Sequence, residues 1–87
     1  MTISFYGNKE FRQIILKRDK YTCRCCGMSN IRSLKFYGET LSIHHIDYNK
    51  KNCFPRNLIT TCKICNAKAN TNREYWKNFY SFVVAVA

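Results

Sequence analysis

Six cysteines and two histidines carry most of the chemistry available to this 87-residue chain. Cys23 and Cys26 form one Cys-x-x-Cys pair, and Cys62 and Cys65 form another. Two such pairs on tight turns can set four sulfurs tetrahedrally around zinc, each at about 2.3 Å. Gly27, directly after the first pair, suits a turn that a side chain would hinder. Four thiolates leave no open position, so such a zinc is structural and supplies folding energy. Two disulfides or four unrelated thiols are the alternatives. Cys25 and Cys53 are left over. Cys25 has the wrong spacing for a knuckle with either neighbour, and Cys53 reads as a small packing residue.

His44 and His45 are adjacent, in the stretch LSIHHID. Neighbouring side chains on an ideal strand point to opposite faces. Both imidazoles can address one site only where the strand twists, bulges or ends. The polar loop DYNKKNCFPRN, residues 47–57, starts directly after and suits an ending. Asn57 stands before the next strand and Asn66 follows Cys65. A strand, loop, strand and helix tied by zinc would bring His44, His45 and Asn66 together. An imidazole and an amide oxygen could hold a divalent ion, with water and phosphate filling its other positions. Asn49 and Asn52 rival Asn57 as loop anchors, but the place of Asn57 next to LITTC favours it. Asp47 reads as an exposed loop carboxylate, with a ligand role as the alternative.

The elements that must position these groups form one small α+β domain, residues 1–87. Residues 1–7 read as a loose arm. Residues 8–19 read as a helix, with Phe11, Ile14 and Ile15 as its apolar stripe, Glu10 near its start and Lys17, Arg18 and Lys20 near its end. SLKFYGETLSI reads as a hairpin from the alternation of Leu34 and Phe36 and the break at Gly38. LITT is a short strand of β-branched residues, and CKICNAKAN opens as a knuckle and continues as a short helix. Residues 22–71 thus hold the knuckles and the central strands. Thr71 and Glu74 fit a capping box opening a helix over residues 72–85. Its stripe of Tyr75, Trp76, Phe79, Tyr80, Val83 and Val84 reads as core, with a base-stacking platform as the alternative.

Lys and Arg outnumber Asp and Glu by 15 to 5, a formal net charge of +10. A basic domain of this size suits a polyanion, with nucleic acid the default partner. No apolar run approaches the roughly 20 residues that cross a membrane. The opening residues lack the apolar centre of a secretory signal. An intracellular setting is expected, where paired cysteines point to metal more than to disulfides.

YTCRCCG, LSIHHID, NLITTCKICNAKAN and NREYW together resemble the HNH endonucleases of phages, mobile introns and bacterial restriction systems. The resemblance runs from about Phe11 to Trp76. It implies a ββα-metal (His-Me finger) fold with flanking helices, stapled by a four-cysteine zinc site, and cleavage of DNA phosphodiester bonds to 5′-phosphate and 3′-hydroxyl ends. It implies that His45 is the general base, that His44 ligates the catalytic ion, and that Asn57 braces the loop and orients the base. The last motif position, a histidine ligand in many relatives, is Asn66 here. An amide oxygen in place of imidazole makes the site harder, so Mg²⁺ or Mn²⁺ is expected over Zn²⁺ or Ni²⁺ as the catalytic ion. Lys50, Lys51 and Arg56 in the loop, and Lys63, Lys68 and Arg73 along the helix side, are the expected phosphate contacts. The expected setting is the cytoplasm of a bacterium or a phage-infected cell, and the chain acts as monomer or homodimer. A non-catalytic zinc-ribbon module that binds nucleic acid is the alternative, with a protein-interaction zinc domain as a third.

Overall fold

The computed structural model describes residues 9–86, so the expected arm at 1–7 lies outside the described residues. The described chain is α+β. Helix α1 (Lys9–Arg18) and helix α2 (Asn30–Tyr37) precede strand β1 (Ser42–His45). A 3-10 turn (Pro55–Asn57) leads into strand β2 (Leu58–Thr61), followed by helix α3 (Lys63–Lys68) and helix α4 (Arg73–Ala85). No helix among the described residues is long and apolar enough to cross a membrane.

The apolar face of α1 is rotated from the one its sequence suggests. Ile14 is 60% exposed, while Ile15 and Leu16 are buried and Phe11 is half-buried. The inward face runs through Arg12, Ile15, Leu16 and Asp19, at helical spacing. Its two polar members are satisfied by the sheet region. Arg12 donates to Thr40 Oγ1 and to the Leu41 carbonyl. Asp19 accepts from Thr60 N–H at 3.0 Å and from the guanidinium groups of Arg18 and Arg24. Two left-handed residues, Lys20 and Tyr21, stop the helix, and Tyr21 N–H returns to the Leu16 carbonyl.

The expected hairpin over SLKFYGETLSI is a correction: its first half is α2. Ser29 caps the helix by accepting from Arg32 N–H, and Gly38, at φ +71, closes it with an N–H bond to the Leu34 carbonyl. The Leu34 and Phe36 alternation misled because neither residue is core. They are 46% and 59% exposed, and the helix buries Ser33. Periodicity reports a buried face only when the apolar residues are the buried ones.

Strands β1 and β2 pair antiparallel, with Ser42 opposite Thr61 and His45 opposite Leu58. The outer edge of β2 is not left open. Thr60 N–H goes to Asp19, and the Thr60 carbonyl accepts from Arg24 N–H in the first cysteine turn. Arg18 adds bonds to the Pro55 and Leu58 carbonyls. Leu16, Cys23, Leu41, Cys62 and Cys65 form one buried cluster. Ile46, Ile59, Ala69 and Tyr80 form the other, against which Trp76, Phe79, Val83 and Val84 pack. The α4 stripe is therefore core, except for Tyr75, which is 55% exposed. The cap of α4 sits one residue later than Thr71: Asn72 accepts from Tyr75 N–H, and Thr71 Oγ1 donates to the Lys68 carbonyl instead.

Asp19 ties α1, the first cysteine turn and β2 together. Burial pushes its carboxyl up, but the Arg18 guanidinium and the Thr60 N–H outweigh this and hold it below the usual carboxylate value. A lowered folded pKa means stability that is present above the unfolded value and lost as pH falls through the folded one. Asp19→Asn is expected to cost about 2–3 kcal/mol at neutral pH. In urea unfolding across an acid titration, its gap from wild type should be full above pH about 4 and close below it.

Candidate metal centre and the histidine cavity

The first cysteine turn is closed by Cys23 N–H to the Met28 carbonyl and Gly27 N–H to the Cys23 carbonyl, with Gly27 at φ +84. The second lies at the β2–α3 corner, where Cys62 caps α3 by accepting from Cys65 N–H. The Sγ atoms of Cys23, Cys26, Cys62 and Cys65 all lie within 4.8 Å of one another, and Cys26 and Cys62 approach to 3.6 Å. A tetrahedral ion with Zn–S of about 2.3 Å needs sulfurs about 3.8 Å apart. The four side chains fit that requirement and could hold a metal such as zinc.

Their electrostatics ask for a cation. Burial and the neighbouring sulfurs push the Cys26 and Cys65 thiols up. Cys62 is lowered despite its burial, because Cys65 N–H and the adjacent thiols bond to it. Four sulfurs this close, three of them buried, cannot all ionise without a compensating positive charge. Cys25 stays outside the cluster and packs between the two buried groups.

At the other end of the sheet, β1 stops at His45, and Tyr48 N–H turns back to the His45 carbonyl. That ending lets both histidines border one open cavity of about 330 Å³, with Lys50, Asn66, Asn70 and Arg73 among its lining. His44 is 7% exposed and His45 8%. The His44 ring packs on Tyr48 and Tyr80, and its Nε2 is buried with no hydrogen-bond partner. Burial and the His45 charge lower the His44 pKa, while the facing Asn66 side chain favours its protonated form and Arg73 opposes it. His45 also borders a second cavity, with Phe11, Ile15 and Cys53, and its Nε2 lies 3.8 Å from Cys53 Sγ. Cys53 is therefore an imidazole neighbour as well as a packing residue. Burial lowers the His45 pKa; Asp47 raises it in part and Lys50 lowers it further.

The loop over this site is held from below by Asn57. Its Nδ2 donates to Asp47 Oδ1 at 2.9 Å and to the Asn52 carbonyl at 2.8 Å, and its Oδ1 accepts from Asp47 N–H. Asn57 is buried and acts on the cavity only through the loop. Asp47 is not the exposed carboxylate its sequence setting suggests. It is half-buried and also accepts from Asn49 N–H and Asn52 Nδ2. Burial raises its carboxyl, but those bonds outweigh that and lower it. Asn49 and Asn52 are turn formers, accepting from Lys51 N–H and Phe54 N–H.

The six cations separate. Lys50 and Arg73 line the cavity. Lys51, Arg56 and Lys63 are exposed and are not part of its lining, and Lys68 lies over the Trp76 ring. Sequence reading missed Tyr48 and Asn70. Asn70 follows Asn66 by one helical turn, a signal open to inspection, whereas nothing in its neighbours marks Tyr48. No family model, curated protein or solved structure matches this chain.

Loading with Co²⁺ in place of zinc checks the cluster. One ion per chain is expected, with the intense sulfur charge-transfer bands of a tetrahedral four-thiolate site. Cys25→Ser and Cys53→Ser should leave that spectrum intact, whereas Cys62→Ser should lose it and lower the melting temperature of the zinc form.

Proposed function

We propose that this chain is a metal-dependent endonuclease of the HNH type that hydrolyses DNA phosphodiester bonds. The observation that carries this reading is the buried, unpartnered His44 Nε2 in a cavity shared with His45 and Asn66. An unsatisfied buried imidazole nitrogen costs free energy unless something binds it. The order β1, loop, β2, α3 also suits a ββα-metal fold, with the second cysteine turn as the strand–helix corner.

The donor set of His44 and Asn66 fits a hard divalent ion. Mg²⁺ or Mn²⁺ held there would supply positive charge for the phosphate and for the leaving 3′ oxygen. His45 accepts the proton of the attacking water. That role needs a neutral imidazole, and its lowered pKa keeps it neutral at cellular pH. Lys50 and Arg73 meet the phosphate as it enters. Asn57 keeps Asp47 and the loop in register beside the base. The excess of basic residues supports a DNA backbone as partner.

Plasmid cleavage tests the reading. Zinc-loaded protein should nick DNA with Mg²⁺ or Mn²⁺ and stop with chelator at levels that leave the cysteine site loaded. His45→Ala should lose about 10²–10⁴-fold in turnover while keeping DNA binding. His44→Ala and Asn66→Ala should shift the Mg²⁺ titration to higher concentration. Cleavage by His45→Ala at the wild-type rate would remove the assignment. Salt-sensitive DNA binding with no cleavage under any divalent ion would leave the non-catalytic zinc-ribbon reading in its place.

A further inference from the structure

Tyr48 sits in the turn after β1 with φ +63. Asparagine and glycine tolerate that backbone; a bulky residue seldom adopts it. Lys20 and Tyr21 share that backbone where they end α1, but of the three only Tyr48 lines the histidine cavity. Its side chain makes three contacts, two with cavity residues and one with the backbone behind them. The ring meets His44 edge-on, with centroids 5.0 Å apart. The hydroxyl donates to the Ala69 carbonyl at the end of α3. The Arg73 guanidinium lies over the ring, 4.5 Å from its centroid.

Arg73 is exposed at the start of α4, and its hydrogen bond to Asn70 Oδ1 is a long one, 3.4 Å. Stacking on an aromatic face holds a guanidinium flat and leaves its edge donors available. A planar guanidinium so held suits the paired oxygens of a phosphate.

We propose that Tyr48 is a positioning residue of this cavity, its ring holding Arg73 as a seat for one DNA backbone phosphate and bracing the His44 imidazole. The inference rests on the reading of the cavity as a phosphate site. It assigns a role to a residue that touches neither the water nor the leaving oxygen. Arg73 contributes charge, and Tyr48 decides where that charge stands.

The test is the salt dependence of binding to a short DNA duplex, measured on the full, zinc-loaded chain without Mg²⁺. Arg73→Ala should flatten the slope of log K against log salt by about 0.9, one phosphate contact. Tyr48→Asn removes the ring while suiting the left-handed backbone, and should flatten the slope equally. Combined with Arg73→Ala, it should add nothing further. Tyr48→Phe keeps the ring and should keep the wild-type slope, which separates seating from the Ala69 tie. Arg73→Lys leaves the turn untouched and should lose most of the affinity that Arg73→Ala loses. A wild-type slope in folded Tyr48→Asn, losses that add in the double variant, or full affinity in Arg73→Lys would each overturn the proposal. The wild-type chain separates the two readings. Steep salt dependence without nicking rejects the nuclease and leaves the seat standing, whereas binding insensitive to salt rejects the phosphate site itself.

Discussion

The convergence of four cysteine sulfurs from two distant turns is the constraint on which the rest of the domain depends. Cys23 and Cys26 follow α1, while Cys62 and Cys65 span the corner between β2 and α3. Bringing them together closes about half of the chain into a loop, with a large entropy cost for so small a core. An ion held by these thiolates would offset that cost, because little of the site exists in the unfolded chain. The buried cluster around Leu16 and Leu41 includes three of these cysteines, so packing and any bound ion would act at the same place.

A second, purely polar clamp works beside the first. Asp19 is 3% exposed, accepts a β2 backbone N–H and pairs with two arginines, one at the end of α1 and one in the first cysteine turn. A buried carboxylate is expensive unless it is paired and hydrogen-bonded, and this one is both. With Arg24 N–H on the Thr60 carbonyl, it also closes the outer edge of β2. A two-stranded sheet this short would not hold alone. Here β2 is paired with β1 on one side and bonded on the other to Asp19 and to the turn that carries the first cysteines.

The chemistry of the histidine cavity follows from where β1 stops. An uninterrupted strand would send His44 and His45 to opposite faces. Because pairing ends at His45, both reach one polar space, and His45 keeps a second side toward Cys53. The loop then has to be stiff. Asn57 supplies that with three bonds from one amide, to Asp47 and to the Asn52 carbonyl. Such a brace costs little motion at the site, because the amide is buried and the groups it holds are already in a chain of Asx turns.

Sequence alone determined the parts whose signal is local. The two Cys-x-x-Cys pairs, the strand LITT, the short α3 and the aromatic face of α4 follow from spacing and residue type within a few positions. The basic balance is likewise a property of composition. Tertiary structure decided what local pattern cannot carry. The stretch around Leu34 and Phe36 alternates like a strand but is helical, because Ser29 and Gly38 cap it and its apolar residues face outward. The inward face of α1 takes in Arg12 and Asp19 because their partners, Leu41 and Thr60, lie far along the chain. Tyr48 gains its place from Ala69 and Arg73, which only the return of α3 and α4 brings to it. Contacts between distant residues are set by how elements dock, and no window of sequence short enough to read by periodicity contains both partners.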